Sequence, residues 1–133
     1  MIQNLQVTAS DGRCHDTHFR QELLKSLHET LRGQTDAIKE AIERDICVSS
    51  TEAIAEVALT LSIVKEHYAS LNPTDDLKAE YRVANSEDAP DRREPWGIVY
   101  VEPDLRHTPF FSVVAPVSAA LAAGNCVALK VCT

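Results

Sequence analysis

The chain has 133 residues, 44% of them hydrophobic and 25% charged, a balance that belongs to folded rather than disordered protein and to at most one domain. Its formal net charge is -7 and its longest basic run is the pair Arg92-Arg93, which argues against nucleic acid or an anionic membrane surface as a main partner.

The longest apolar stretch, residues 110–123, is interrupted by Ser112, Pro116 and Ser118. It is shorter than the roughly 20 residues needed to span a bilayer. Residues 1–11 have neither a basic region nor an apolar core, so no secretory signal is expected. Cys14, Cys47, Cys126 and Cys132 lack the C-x-x-C spacing and read as reduced thiols, with a cytoplasmic location as the expectation.

Residues 1–15 mix polar and turn-forming side chains and are expected to be a loose arm. Phe19, Leu23, Leu24, Leu27 and Leu31 then recur at helical spacing, and Gly33 marks the stop. Ile38, Ala41, Ile42 and Ile46 form a second apolar stripe, and Lys39 and Glu43 on its wet face are placed to pair. Ser49 and Glu52 have the spacing of a capping box. The third helix follows, with Ile54, Val57, Ala58, Leu61, Val64 and Tyr68 on one side and Asn72-Pro73 as its end. Three helices are therefore predicted within residues 17–71.

The period then changes. Leu77, Ala79, Tyr81 and Val83 alternate with Lys78, Glu80 and Arg82, which predicts a half-buried strand over 77–83. A polar linker with Pro90 separates it from the last section. There, residues 98–101 read as a strand, 110–123 as an Ala-rich helix stopped by Gly124-Asn125, and 127–131 as a second strand. Strand, crossover helix and strand make a βαβ unit, the start of a parallel sheet. The predicted class is thus α/β: three amphipathic helices, one alternating strand and the first βαβ unit of an incomplete Rossmann-like sheet. Only three residues follow Lys130, so the sheet is expected to be unfinished.

Glu94-Pro95-Trp96-Gly97-Ile98-Val99, Pro109-Phe110 with Pro116, and Ala122-Ala123-Gly124-Asn125-Cys126-Val127-Ala128-Leu129-Lys130 carry a family resemblance. The chain resembles the N-terminal segment of the aldehyde dehydrogenase superfamily, nearest the fatty-aldehyde type. The family pattern there is Glu-Pro-Leu-Gly-Val-Val, Trp-Asn-Tyr-Pro-Phe and Ala-Ala-Gly-Asn-x-Val-Val-Leu-Lys-Pro-Ser. The resemblance implies that residues 16–133 are the N-terminal part of a cofactor-binding domain. It also implies NAD(P)-dependent oxidation of aldehydes to acids by the family, and a contact from Lys130 to the adenosine ribose of NAD or NADP.

The departures bear on activity. In the family, the Asn amide before the crossover helix stabilises the oxyanion formed when a thiolate attacks the aldehyde. Here the stretch is Asp104-Leu105-Arg106-His107-Thr108, with no Asn. Glu102-Pro103 stands for the family's Ile-Gly, and Val131-Cys132-Thr133 for its Pro-Ser-Glu. The family's glycine turn, general-base Glu and nucleophilic Cys are not matched, so the expectation is a truncated protein, inactive alone, with no catalytic residue of its own.

Other residues carry competing readings. Lys130 is either a ribose contact or a solvated lysine at a strand end. Cys126 reads as a buried structural thiol and Cys132 as an exposed one. Cys14, His15, Asp16 and His18 suggest metal ligands, but no second ligand pair accompanies them, so they read as a helix start with Asp16 or Thr17 as cap and no metal. Asp104, Arg106 and His107 could work as an acid/base loop or be simply solvated. Two alternatives to the truncated oxidoreductase therefore stay open. One is an interaction protein, a homo-oligomer or the partner of a full-length homologue, whose exposed apolar sheet faces demand cover. The other is a repurposed small enzyme built on the Asp104–His107 loop.

Overall fold

The computed structural model describes residues 1–131. In chain order the elements are α1 (Ile2–Ser10), a 3₁₀ turn (Arg13–His15), α2 (Thr17–Gly33), α3 (Thr35–Ile46), α4 (Ser50–Ala69), α5 (Pro73–Ala84), β1 (Ile98–Val101), α6 (Pro109–Ala122) and β2 (Cys126–Leu129). β1 and β2 pair in parallel, with Ile98 opposite Cys126 and Val101 opposite Leu129. The α/β class and the βαβ unit are as the sequence predicts.

α2, α4 and α5 begin where an N-cap side chain satisfies free amides. Asp16 caps α2 by accepting from the His18 amide at 3.1 Å. At α4 both halves of the capping box form: the Glu52 amide donates to Ser49 Oγ, and the Ser49 amide donates to Glu52 Oε2. The Ser49 amide first, and then the Ser49 hydroxyl, both donating to Glu52 Oε2, hold the Glu52 carboxyl below its usual range.

α4 is the hub, packed against α2, α3 and α6. Its buried seam is Ala53, Val57, Thr60 and Val64; Val57 and Val64 are shared with the expected stripe, while Ile54 and Tyr68 are exposed and Ala53 and Thr60 take their place inside. Thr60 is tolerated inside because its hydroxyl donates to the Glu56 carbonyl at 2.8 Å. Leu24 of α2 is fully buried, and Ile42 of α3 clusters with Ala53 and Val57 while Phe110 packs on the edge. Between α4 and α6, His67 Nδ1 pairs with the buried Ser118 hydroxyl at 2.8 Å.

One prediction is corrected. Residues 77–83 are not a strand but the body of α5. Alternation alone cannot make a strand, which needs a neighbour to pair with, and here the start signals of a helix prevail. The Asn72 side chain accepts from the Thr74 and Asp75 amides, Pro73 occupies the first turn, Asp75 and Asp76 sit at the positive end, and Arg82 at the negative one. α5 buries no residue, and Leu77 and Tyr81 are each 71% exposed. It is held instead by polar ties: Thr17 to Asp76, Arg20 to Asp76 at 3.6 Å, and Arg92 to Glu80 at 2.9 Å.

The first fifteen residues also differ from the expected loose arm. α1 turns Leu5, Thr8 and Ala9 inward, at helical spacing, and lies against β1 and β2.

Candidate functional site

Parallel strands end on one side, and ligands of open α/β sheets bind beyond those carboxyl ends. Here that side gathers four features. Glu102 follows β1 and Lys130 follows β2; the Lys130 amide donates to the Val101 carbonyl at 3.0 Å, which fixes the register of the two ends. The Lys130 ammonium donates to Glu102 Oε1 at 2.5 Å, both side chains being about half exposed. The loop 104–108 and the N-terminus of α6 complete the rim.

The loop is folded on Asp104. Its Oδ1 accepts from the Arg106 amide at 3.0 Å, and its Oδ2 lies 3.3 Å from His107 Nδ1. The amide bond first, then the imidazole, hold the Asp104 carboxyl below its ordinary range. The Ser112 hydroxyl donates to the Asp104 carbonyl at 2.8 Å, tying loop to helix. His107 and Asp104 are both open to solvent. Arg106 contributes only its backbone to the geometry of Asp104.

The α6 N-terminus would ordinarily be a seat for an anion. It is already taken. Glu56, from α4, places Oε1 2.9 Å from the Phe110 amide and 3.0 Å from the Phe111 amide. Beside it runs an open cleft of about 490 Å³, walled by Ile46, Val48, Leu59 and Phe111, with His107 and Thr108 at its lip.

At the opposite end of the strands the Gly-Asn pair explains itself. Asn125 is buried, and its Oδ1 accepts from the Gly97 amide at 2.9 Å, while the Cys126 amide donates to the Gly97 carbonyl at 2.7 Å. Gly124 has φ +86°, and a Cβ there would sit 2.9 Å from the Cys14 carbonyl oxygen. Only glycine fits that turn without moving backbone.

The structure thus brings Lys130 together with Glu102, and Asp104 with His107. Cys126 is 8% exposed and its thiol is pushed up chiefly by burial, as expected of a structural cysteine. Cys132 lies outside the described residues. Cys14 and His15 are in the 3₁₀ turn, while Asp16 spends its carboxylate on the α2 cap. Sequence reasoning missed Glu56, which no motif marks, and Glu102, which was noted only as a departure. Asn125 was legible as a helix stop but not as the clamp on Gly97.

A parallel β1–β2 pair joined by α6, with a charged pair beyond the strand ends, defines an α/β chain with its candidate site at the carboxyl edge. Comparison with known proteins agrees with that class. The model of the aldehyde dehydrogenase family matches residues 12–133, and the chain belongs to that family. Over 132 residues it is 30% identical to aldehyde dehydrogenase family 3 member B1 of Mus musculus and of Bos taurus, and 27% identical to that of Homo sapiens. In each case 97% of this chain is covered but 28% of the relative, so the chain spans little more than a quarter of the length of the curated relatives it matches. No solved structure matches the chain.

Proposed function

We propose that these residues form the opening portion of the cofactor-binding domain of an NAD(P)-dependent aldehyde dehydrogenase, and that alone they turn over no aldehyde. The observation that carries the reading is the placement of Lys130 at the carboxyl end of β2, beside Glu102, in a chain of this family.

The chemistry of the pair suits a ribose. An ammonium donates and a carboxylate accepts, which matches the two faces of a vicinal diol. The α6 N-terminus does not suit the pyrophosphate, because the Glu56 carboxylate occupies its amides and would repel a phosphate. The bound nicotinamide would supply the hydride acceptor; the part of this chain is to orient the adenosine end through Lys130. The family oxidises aldehydes through a thiolate, a base and an oxyanion donor. Cys126 is buried and its thiol is pushed up chiefly by burial, and the loop at 104–108 offers His107 where the family has its Asn stretch. Such groups are each worth roughly two orders of magnitude or more in rate.

The Asp104–His107 contact supports a second reading, a small acid/base enzyme independent of nicotinamide. The test separates the two. The chain is assayed for NADH formation with a panel of aliphatic and aromatic aldehydes, and NAD is titrated calorimetrically. The expected result is no turnover above background and no saturable binding of NAD. Aldehyde consumed without added NAD and without NADH formation, in a reaction that survives Cys126→Ala and Cys132→Ala but disappears in His107→Ala, would move the chemistry to the 104–108 loop.

A further inference from the structure

The cleft beside the α6 N-terminus, about 490 Å³ in volume, combines apolar walls with charge of one sign. Ile46, Val48, Leu59 and Phe111 supply the walls. Glu52 and Glu56 line it as well, and among the described residues no Lys or Arg does. Glu52, Glu56 and Leu59 recur at helical spacing, so they share one side of α4. The adjoining seam of Ala53, Val57, Thr60 and Val64 is buried, which leaves this side to the cleft.

Glu56 is the decisive residue. Its Oε1 accepts from the Phe110 amide at 2.9 Å and from the Phe111 amide at 3.0 Å, which fixes the carboxylate in the cleft wall. Its Oε2 makes no hydrogen bond or ion pair among the described residues. A half-buried carboxylate oxygen with no donor from the protein, set among apolar side chains, has only solvent to satisfy it. A ligand that brings its own N–H donors and an apolar tail meets both needs at once.

We propose that this cleft binds an amphiphilic primary amine, with the ammonium on Glu56 Oε2 and the hydrocarbon tail along Ile46, Val48 and Leu59. Charge decides the head group. An organic acid would meet two carboxylates with no lysine or arginine between them. An alcohol donates one hydrogen bond and lacks the charge that strengthens it. An ammonium donates three and is attracted by both Glu56 and Glu52, one helical turn apart. His107, at the lip, has Nδ1 beside Asp104 Oδ2, so its charge when protonated is met by that carboxylate. The volume falls within roughly 300–1,000 Å³, the range of small-molecule sites. The inference stands on the cleft alone and not on the nicotinamide reading, so either can fail without the other.

The test titrates octylammonium into the chain labelled at its Ile, Leu and Val methyls and follows the methyl resonances, with octanol and octanoate as comparisons of equal chain length. The expected result is saturable binding that moves the Ile46, Val48 and Leu59 signals. Octylammonium should bind about tenfold more tightly than octanol, and octanoate should not saturate. Glu56→Gln keeps an acceptor for the two α6 amides; it should bring octylammonium down to the affinity of octanol and leave octanol unchanged. Leu59→Gln, at a position 54% exposed and therefore safe for folding, should weaken both. Trp96→Ser with Tyr100→Ser should alter neither, because those side chains lie outside the cleft. Octanoate binding as tightly as octylammonium, no saturable binding of octylammonium, or binding that survives Glu56→Gln and Leu59→Gln but is lost with Trp96 and Tyr100 would overturn the proposal.

Discussion

The Glu56 carboxylate caps a helix to which it does not belong: its Oε1 accepts from the Phe110 amide at 2.9 Å and from the Phe111 amide at 3.0 Å. α6 starts with Thr108, whose side chain makes no cap, and Pro109, which has no amide to satisfy. α4 supplies from across the core what the local sequence lacks. The cap also fixes where the 104–108 loop joins α6, and hence the carboxyl edge of the strands. Glu56→Ala should lower stability by about 1–3 kcal/mol, since two amides lose their acceptor in a half-buried place. Glu56→Gln keeps an acceptor oxygen and should lose less. Urea denaturation of the three proteins checks the order; equal stability of all three would mean that water replaces the cap without loss.

Gly124→Ala should cost about 1–3 kcal/mol, from the positive φ and the collision with the Cys14 carbonyl together. Gly33→Ala makes the control, because nothing lies within 4 Å of the added carbon and its backbone is helical. That change should leave the melting temperature the same or raise it.

The Glu52 carboxyl is held low by hydrogen bonds it makes only in the folded chain. A lowered folded pKa means that the ionised form stabilises. The contribution is present above the ordinary carboxylate range and is lost as pH falls through the depressed folded value. Glu52→Gln should therefore be less stable than the parent near neutrality, and the gap should close on acidification. Stability measured against pH for the pair tests this; a gap that widened in acid would reverse the sign.

How far the sequence could be read follows from what each element depends on. α2, α3, α4 and α6 bury apolar stripes, and their periodicity showed; β1 and β2 appeared as short β-branched runs broken by Gly97 and Gly124. α5 buries nothing, so its apolar pattern carried no structural information, and Asn72-Pro73 was read as the end of α4 when it also begins the next helix. α1 shows only Leu5, Thr8 and Ala9 inward, too little apolar signal to register. The site divides likewise. Lys130 was legible from a motif, whereas the Glu56 cap on α6 and the approach of the Cys14 carbonyl to Gly124 are long-range contacts that no local spacing announces.

Asn72→Ala tests α5 directly. Removing the cap should cost about 0.5–2 kcal/mol locally, and, with no buried face to hold it, α5 should fray before the rest. Hydrogen exchange should quicken over residues 73–84 and stay unchanged in α4. Uniform quickening across the chain would show that α5 is part of the cooperative core.

The surface of the sheet makes the last prediction, on assembly. Trp96 is 96% exposed, Tyr100 61% and Val131 73%, with Ile98 and Leu129 also open. Trp96, Ile98 and Tyr100 fall at alternate positions, so they line one side of β1 and its approach. Burying apolar surface is worth about 25 cal/mol per Å², and an aromatic side chain alone brings roughly 150–250 Å². Trp96 and Tyr100 together with Ile98 thus offer several kcal/mol to whatever covers that side of β1. The isolated chain should then form dimers or larger species, or bind a hydrophobic dye, at micromolar concentration. Trp96→Ser with Tyr100→Ser should shift sedimentation toward the monomer and reduce dye binding while leaving helix content intact, because neither side chain contributes to the core. A single monomer boundary for the unmodified chain, with a cooperative melt and no dye binding, would show that the patch is small enough to remain in water.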